Sequence, residues 1–204
     1  ALDRLLSRVT KPGRYSGGEW NSVRKQWDAA RVKVALAYPD TYEVGMSNLG
    51  VGILYERLNN EPDVLAERVY APWGDMERAL AAGNVELYTL ESRRPLRQFD
   101  LLGFSLQYEL NYSNVLSMLH LAGIPLLANE RDESWPIVLA GGSCTYNPEP
   151  MADFVDLFVL GDGEEVLLEL VRLYASQRAA PGYSKVEFLR RAALLRGVYV
   201  PSLY

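Results

Sequence analysis

Cysteine and histidine are almost absent from this chain. Of 204 residues only Cys144 carries a thiol and only His120 an imidazole, which leaves no disulfide, no zinc set and no thiolate cluster site within these residues. A single cysteine fits a reducing compartment, and the expected location is cytoplasmic. Long hydrophobic runs are missing too. The best candidate, around residues 101–106, falls far short of the ~18 apolar residues of a membrane span, and no targeting segment is visible. Positive charge is scarce after the start: residues 1–33 hold eight Lys or Arg against three Asp or Glu, and the remainder thirteen against twenty-three. The early basic residues are scattered among Tyr15, Trp20 and Trp27 rather than massed. That spacing favours a solvated or intramolecularly packed extension over a nucleic-acid contact.

What is present is a regular alternation. Residues 32–38 form a β-branched and aliphatic run, 39–48 a polar loop with Pro, Asp and Gly, and 49–58 an apolar stripe behind Asn48 as N-cap, which together read as the βα half of a βαβ unit. A strand over 64–70 and a helix over 73–82 follow. Residues 85–88 read as a short edge strand and 95–98 as a helical turn. Strands over 101–106, 136–140 and 155–160 alternate with helices whose buried stripes run through Val115 and Leu119, then through Val166, Leu170 and Tyr174. A last helix is expected over 184–195. The fold class is therefore α/β, a doubly wound parallel sheet of about five strands with helices on both faces. An extension (1–30) precedes the α/β domain (31–178), and a helix and linker (179–204) follow it. Ala1 in the first position, and residues 197–201 reading as the start of a strand with nothing to pair against, point to a chain cut from a longer one.

In an open parallel sheet, ligands bind beyond the carboxyl ends of the strands. Four of the connections there carry small or polar residues: Asp40 to Asn48, Ser105 to Gln107, Gly141 to Thr145, and Gly161 to Glu165. Glycines at such positions let a backbone approach a ligand closely. The order of these segments resembles the cobalamin-binding domains of methionine synthase and the mutases, with Asp40 and Gly45 in the first motif, Ser105-Leu106-Gln107 in the second and Gly141-Gly142 in the third. With Tyr38 to Gly50, Gly141-Gly142-Ser143, Asn147 to Pro150 and Leu160-Gly161-Asp162-Gly163-Glu164-Glu165, the chain is more closely similar to the amino-terminal domain of cobalamin-domain-containing radical SAM proteins.

That resemblance implies a corrinoid held by Asp40, Tyr42, Gly45, Met46, Ser47, Asn48, Ser105, Gln107, Gly141, Gly142, Ser143, Gly161, Gly163 and Glu164. It also implies a following radical SAM domain as partner, which would hold the [4Fe–4S] cluster and S-adenosylmethionine absent from this fragment. Tyr42 stands where the mutase-type motif has histidine. A phenol keeps its proton to a pH of ~10 and offers cobalt no nitrogen, so a bound corrinoid would lack a protein nitrogen ligand, its tail beside Ser105 and the Gly141-Gly142 turn and its ring beside Tyr42, Met46 and Ser47. Two other readings stay open, a degenerate scaffold or substrate platform and a flavodoxin-like flavin or nucleotide binder; against the latter, no Gly-x-Gly-x-x-Gly follows the first strand. His120 on a helical stripe reads as a packed or half-exposed helix residue, Cys144 in a turn as an ordinary thiol, and Glu164-Glu165 as acids favoured at a helix start.

Overall fold

The structure is a computed structural model and describes residues 2–204. In chain order it holds α1 (Leu2–Leu6), α2 (Gly13–Ser16), β1 (Val32–Tyr38), α3 (Tyr42–Gly45), α4 (Leu49–Asn59), β2 (Val64–Tyr70), α5 (Gly74–Gly83), β3 (Leu101–Ser105), α6 (Tyr112–Leu121), β4 (Ile137–Gly141), β5 (Leu157–Val159), α7 (Gly163–Ala179), α8 (Lys185–Ala192) and β6 (Val198–Tyr199). Local chemistry sets several of these limits. The Asn48 side chain accepts the Val51 N–H at 3.0 Å and starts α4; Ser184 does the same for α8 through Glu187; Asn84, at φ 49°, ends α5 in the left-handed region.

The strands form one sheet in the order β2-β1-β3-β4-β5-β6. The first five are parallel, with Val32 opposite Val64 on one side of β1 and Val34 opposite Leu101 on the other. This is the flavodoxin-like doubly wound order, in which consecutive connections leave toward opposite faces at the β1/β3 boundary and open a crevice there. Alternate side chains of β1 serve two cores. Ala35 and Ala37 pack with α5 and α6 residues such as Leu80 and Val115; Val34 and Leu36 pack with α4 and α7 residues such as Val51 and Leu167.

Two sequence expectations change. Residues 197–201 do pair: β6 runs antiparallel to β5, Phe158 opposite Tyr199, because Gly197 at φ 82° turns the chain and its carbonyl accepts the Leu160 N–H at 2.7 Å. The sheet therefore has six strands. Residues 85–88 form no strand but one isolated bridge, Tyr88 to Pro95, since the Leu90 N–H leaves this segment to donate to the Arg68 carbonyl at 2.9 Å. With the Arg68 N–H donating to Glu91 at 2.8 Å, that loop covers the outer edge of β2.

The extension over 1–30 is tied to the domain. Leu5 and Val9 are buried in the core beside α5, the Val23 N–H donates to the Tyr55 hydroxyl, and the Lys25 ammonium donates to the Glu61 and Val64 carbonyls. At the far end of the strands, Asp156 is buried between Arg131 at 3.2 Å and Lys185 at 2.8 Å. This triad fastens 124–136 and α8 to the sheet.

Candidate functional site

The carboxyl ends of β1, β3, β4 and β5 open into a cleft of about 320 Å³ beneath α4 and α7. Its apolar floor is Leu36, Leu139 and Val159, and its helical walls are Val51, Leu54 and Leu167. These are strand and helix residues at the ordinary core spacing, which is why periodicity alone does not mark them as lining. Gly103 belongs to the same floor: a Cβ there would meet Leu139 at 3.2 Å.

Three strand ends supply the polar and glycine part. The Gln107 amide donates to the Ser105 hydroxyl at 3.2 Å, and the Ser143 hydroxyl lies 3.3 Å from both the Gln107 carbonyl and its side-chain oxygen. The two glycines after β4 have different duties. Gly142 sits at φ 109°, and a Cβ there would meet the Leu106 carbonyl oxygen at 2.6 Å, so it is held by backbone geometry. Gly141 has nothing nearer than Val159 at 3.9 Å and leaves space in the cleft. Gly161, at φ 91°, is open on every side, and Gly163 lies against Leu54. The charged groups lining the cleft are Asp162 and Glu164, both acidic.

Of the residues singled out by sequence, Ser105, Gln107, Gly141, Gly142, Ser143, Gly161, Gly163 and Glu164 line this cleft together. The first connection mostly turns away from it. Asp40 lines a separate hollow of about 400 Å³ with Trp73, Glu77 and Asn114. Gly45 is buried under the Tyr70 and Tyr38 rings, Met46 is half exposed, the Ser47 hydroxyl donates to Val44, and Asn48 caps α4. Tyr42 donates its hydroxyl to Glu19 at 2.5 Å and stands edge-on to Tyr70 at 5.4 Å. Burial, helped by the hydrogen bond to Glu19, pushes its pKa up to about 12. Glu19 in turn pairs with Arg68 at 2.5 Å, and Arg68 with Glu91 at 2.8 Å. That chain of partners, Tyr42, Glu19, Arg68 and Glu91, spans four separate segments and leaves no local signal in the sequence.

His120 is exposed. Cys144 is buried, and burial pushes its thiol pKa up, the opposite of what a nucleophile needs. Among the described residues no group of three His, Cys, Asp or Glu is placed to hold a metal ion, and no helix is long and apolar enough to cross a membrane.

Residues 50–201 match the sequence family described as "Radical SAM proteins, N-terminal". The chain belongs to that family. The match takes in every strand end of the cleft except that of β1. A protein of Methanocaldococcus jannaschii, described only as uncharacterized, is 29% identical over 141 residues, which are 68% of this chain and 26% of that protein. The chain thus spans about a quarter of the length of that relative. No solved structure matches it.

Proposed function

We propose that this domain is the corrinoid-holding amino-terminal module of a radical SAM enzyme, and that the cleft under α4 and α7 receives the nucleotide tail of cobalamin. The observation that carries the reading is the cleft itself: an apolar slot across the carboxyl ends of β1, β3, β4 and β5 whose glycine, Gly141, leaves room for a flat group while Ser105, Gln107 and Ser143 offer hydrogen bonds at its rim. Its two charged lining residues are acidic. They work against the doubly charged phosphate of a flavin mononucleotide or a nucleotide, and less against a corrinoid, whose single phosphodiester accompanies a cationic cobalt centre. A bound corrinoid would supply a cobalt centre able to carry an alkyl group. The chain's own part is to seat the tail and keep water from the slot.

Tyr42 is committed to Glu19 and keeps its proton to about pH 12, so its phenol would not serve as a ligand to a bound corrinoid. The [4Fe–4S] cluster and S-adenosylmethionine belong to the radical SAM domain of the parent polypeptide, because one buried thiol cannot ligate a cluster.

Titration with hydroxocobalamin, followed by visible absorbance, tests the reading. The wild-type chain is expected to bind. Gly141→Leu places a side chain in the slot, its Cβ no nearer than 3.9 Å to Val159, and should weaken binding at least tenfold while the fold, read by circular dichroism, is kept. Tyr42→Phe should leave affinity unchanged within about twofold. In the cobalt(II) state, electron paramagnetic resonance should show no nitrogen hyperfine splitting from the protein. A wild-type chain that does not bind overturns the corrinoid reading in favour of a scaffold.

A further inference from the structure

The connections leaving the carboxyl ends of the parallel strands differ sharply from those at the other end of the sheet. Leu49, Leu110 and Tyr146 are exposed to 76%, 72% and 77%, and Met46, Trp73 and Tyr108 join them. All six lie in or directly after βα connections, and Tyr146 also lines the cleft. At the opposite end, segments 60–63, 84–100, 122–136, 152–156 and 180–186 expose two large hydrophobic side chains, Leu127 and Val186. Exposed apolar area gathered on one side marks a contact surface.

Unpaired acidic residues are densest on the same side. Segments 39–48, 71–75, 106–111, 142–151 and 160–165 hold eight Asp or Glu and no Lys or Arg. Among the described residues only Glu43 of these eight has a cationic partner, Lys11 and Arg14. The opposite segments 60–63, 84–100, 122–136 and 152–156 hold ten Asp or Glu, but together with Arg93, Arg94, Arg97 and Arg131, and five of the ten, Glu61, Asp63, Glu86, Glu91 and Asp156, have cationic partners. An apolar surface fringed by uncompensated acids fits a partner that is apolar at its centre and basic at its rim.

We infer that this rim is the face on which the radical SAM domain of the same polypeptide docks, presenting a basic surface to it. The family is defined as the amino-terminal part of radical SAM proteins, and the archaeal relative is about four times as long as the stretch that matches, so a second domain is at hand and tethered, which raises its effective concentration. The inference rests on family membership and not on the corrinoid.

Hydrogen exchange tests it without added corrinoid, comparing the 204-residue chain with the longer polypeptide that carries the radical SAM domain. Amides in 46–50, 106–112 and 143–149 should exchange at least tenfold more slowly in the longer polypeptide, and the slowing should shrink as salt is raised. Leu49→Lys, Trp73→Lys and Leu110→Lys together, all at exposed positions outside the cleft lining, should return those rates to the values of the chain alone. Unchanged rates, or slowing confined to the opposite end of the sheet, would overturn the inference. So would a chain that dimerises by light scattering with the same amides protected, since the occupant would then be a second copy. Hydroxocobalamin binding by the 204-residue chain is a separate readout, so either reading can fail while the other stands.

Discussion

Asp156 accepts from Arg131 and Lys185 and from the Val138 N–H, all three out of water. Desolvation lowers the pKa of Arg131, and the Asp156 carboxylate opposes that loss. Asp156→Asn leaves two buried cations facing only carbonyls, and the expected cost is about 3–5 kcal/mol, read as a lower urea midpoint. A smaller loss is expected at Gly142→Ala, where φ 109° and the Leu106 carbonyl oxygen admit no Cβ without a shift: about 1–3 kcal/mol, against little change for Gly141→Ala. Both glycines stand out in the sequence as a pair at a strand end. Their division of labour does not, because it depends on Leu106 and Val159 across the sheet. Nor does the turning away of Tyr42, which the sequence places beside a ligand and the fold gives to Glu19.

Among the elements, β1 and β2 carry their limits in the sequence, since long β-branched runs between polar loops leave few alternatives. The strand character of 197–201 is legible, but its partner is not, since the Leu160 N–H meets the Gly197 carbonyl and Phe158 faces Tyr199 only once the sheet is built. The arm over 10–30 reads from the sequence as an extension, solvated or packed, and its attachments leave no pattern there. Arg14 holds Glu43 below the usual carboxylate range, and the Thr10 N–H holds Asp75 there. Carboxyls with depressed folded-state values contribute stability above their unfolded values, near 4 in model peptides, and lose it as protons bind. The arm's attachment should be complete above about pH 5 and fade as the pH falls toward about 2. Amide exchange over 10–16, corrected for intrinsic rate, measures it; Arg14→Ala should bring the loosening to higher pH.

For the whole molecule, one row of backbone groups matters more than its size suggests. The outer side of β2 is occupied by the Leu90 N–H and the Glu91 carboxylate at Arg68, and at the other border β6 is two residues long. A sheet recruits further strands, and in the end fibres, through a long bare row of donors and acceptors at its border. This sheet offers none at either side. Glu91→Ala uncovers the Arg68 N–H and removes the charge beside it, and on gentle heating that variant is expected to form thioflavin-positive aggregates at concentrations where the parent chain stays dispersed. The loop at 88–92 is then a guard against templated growth, placed on the one long strand of the sheet that has a neighbour on a single side.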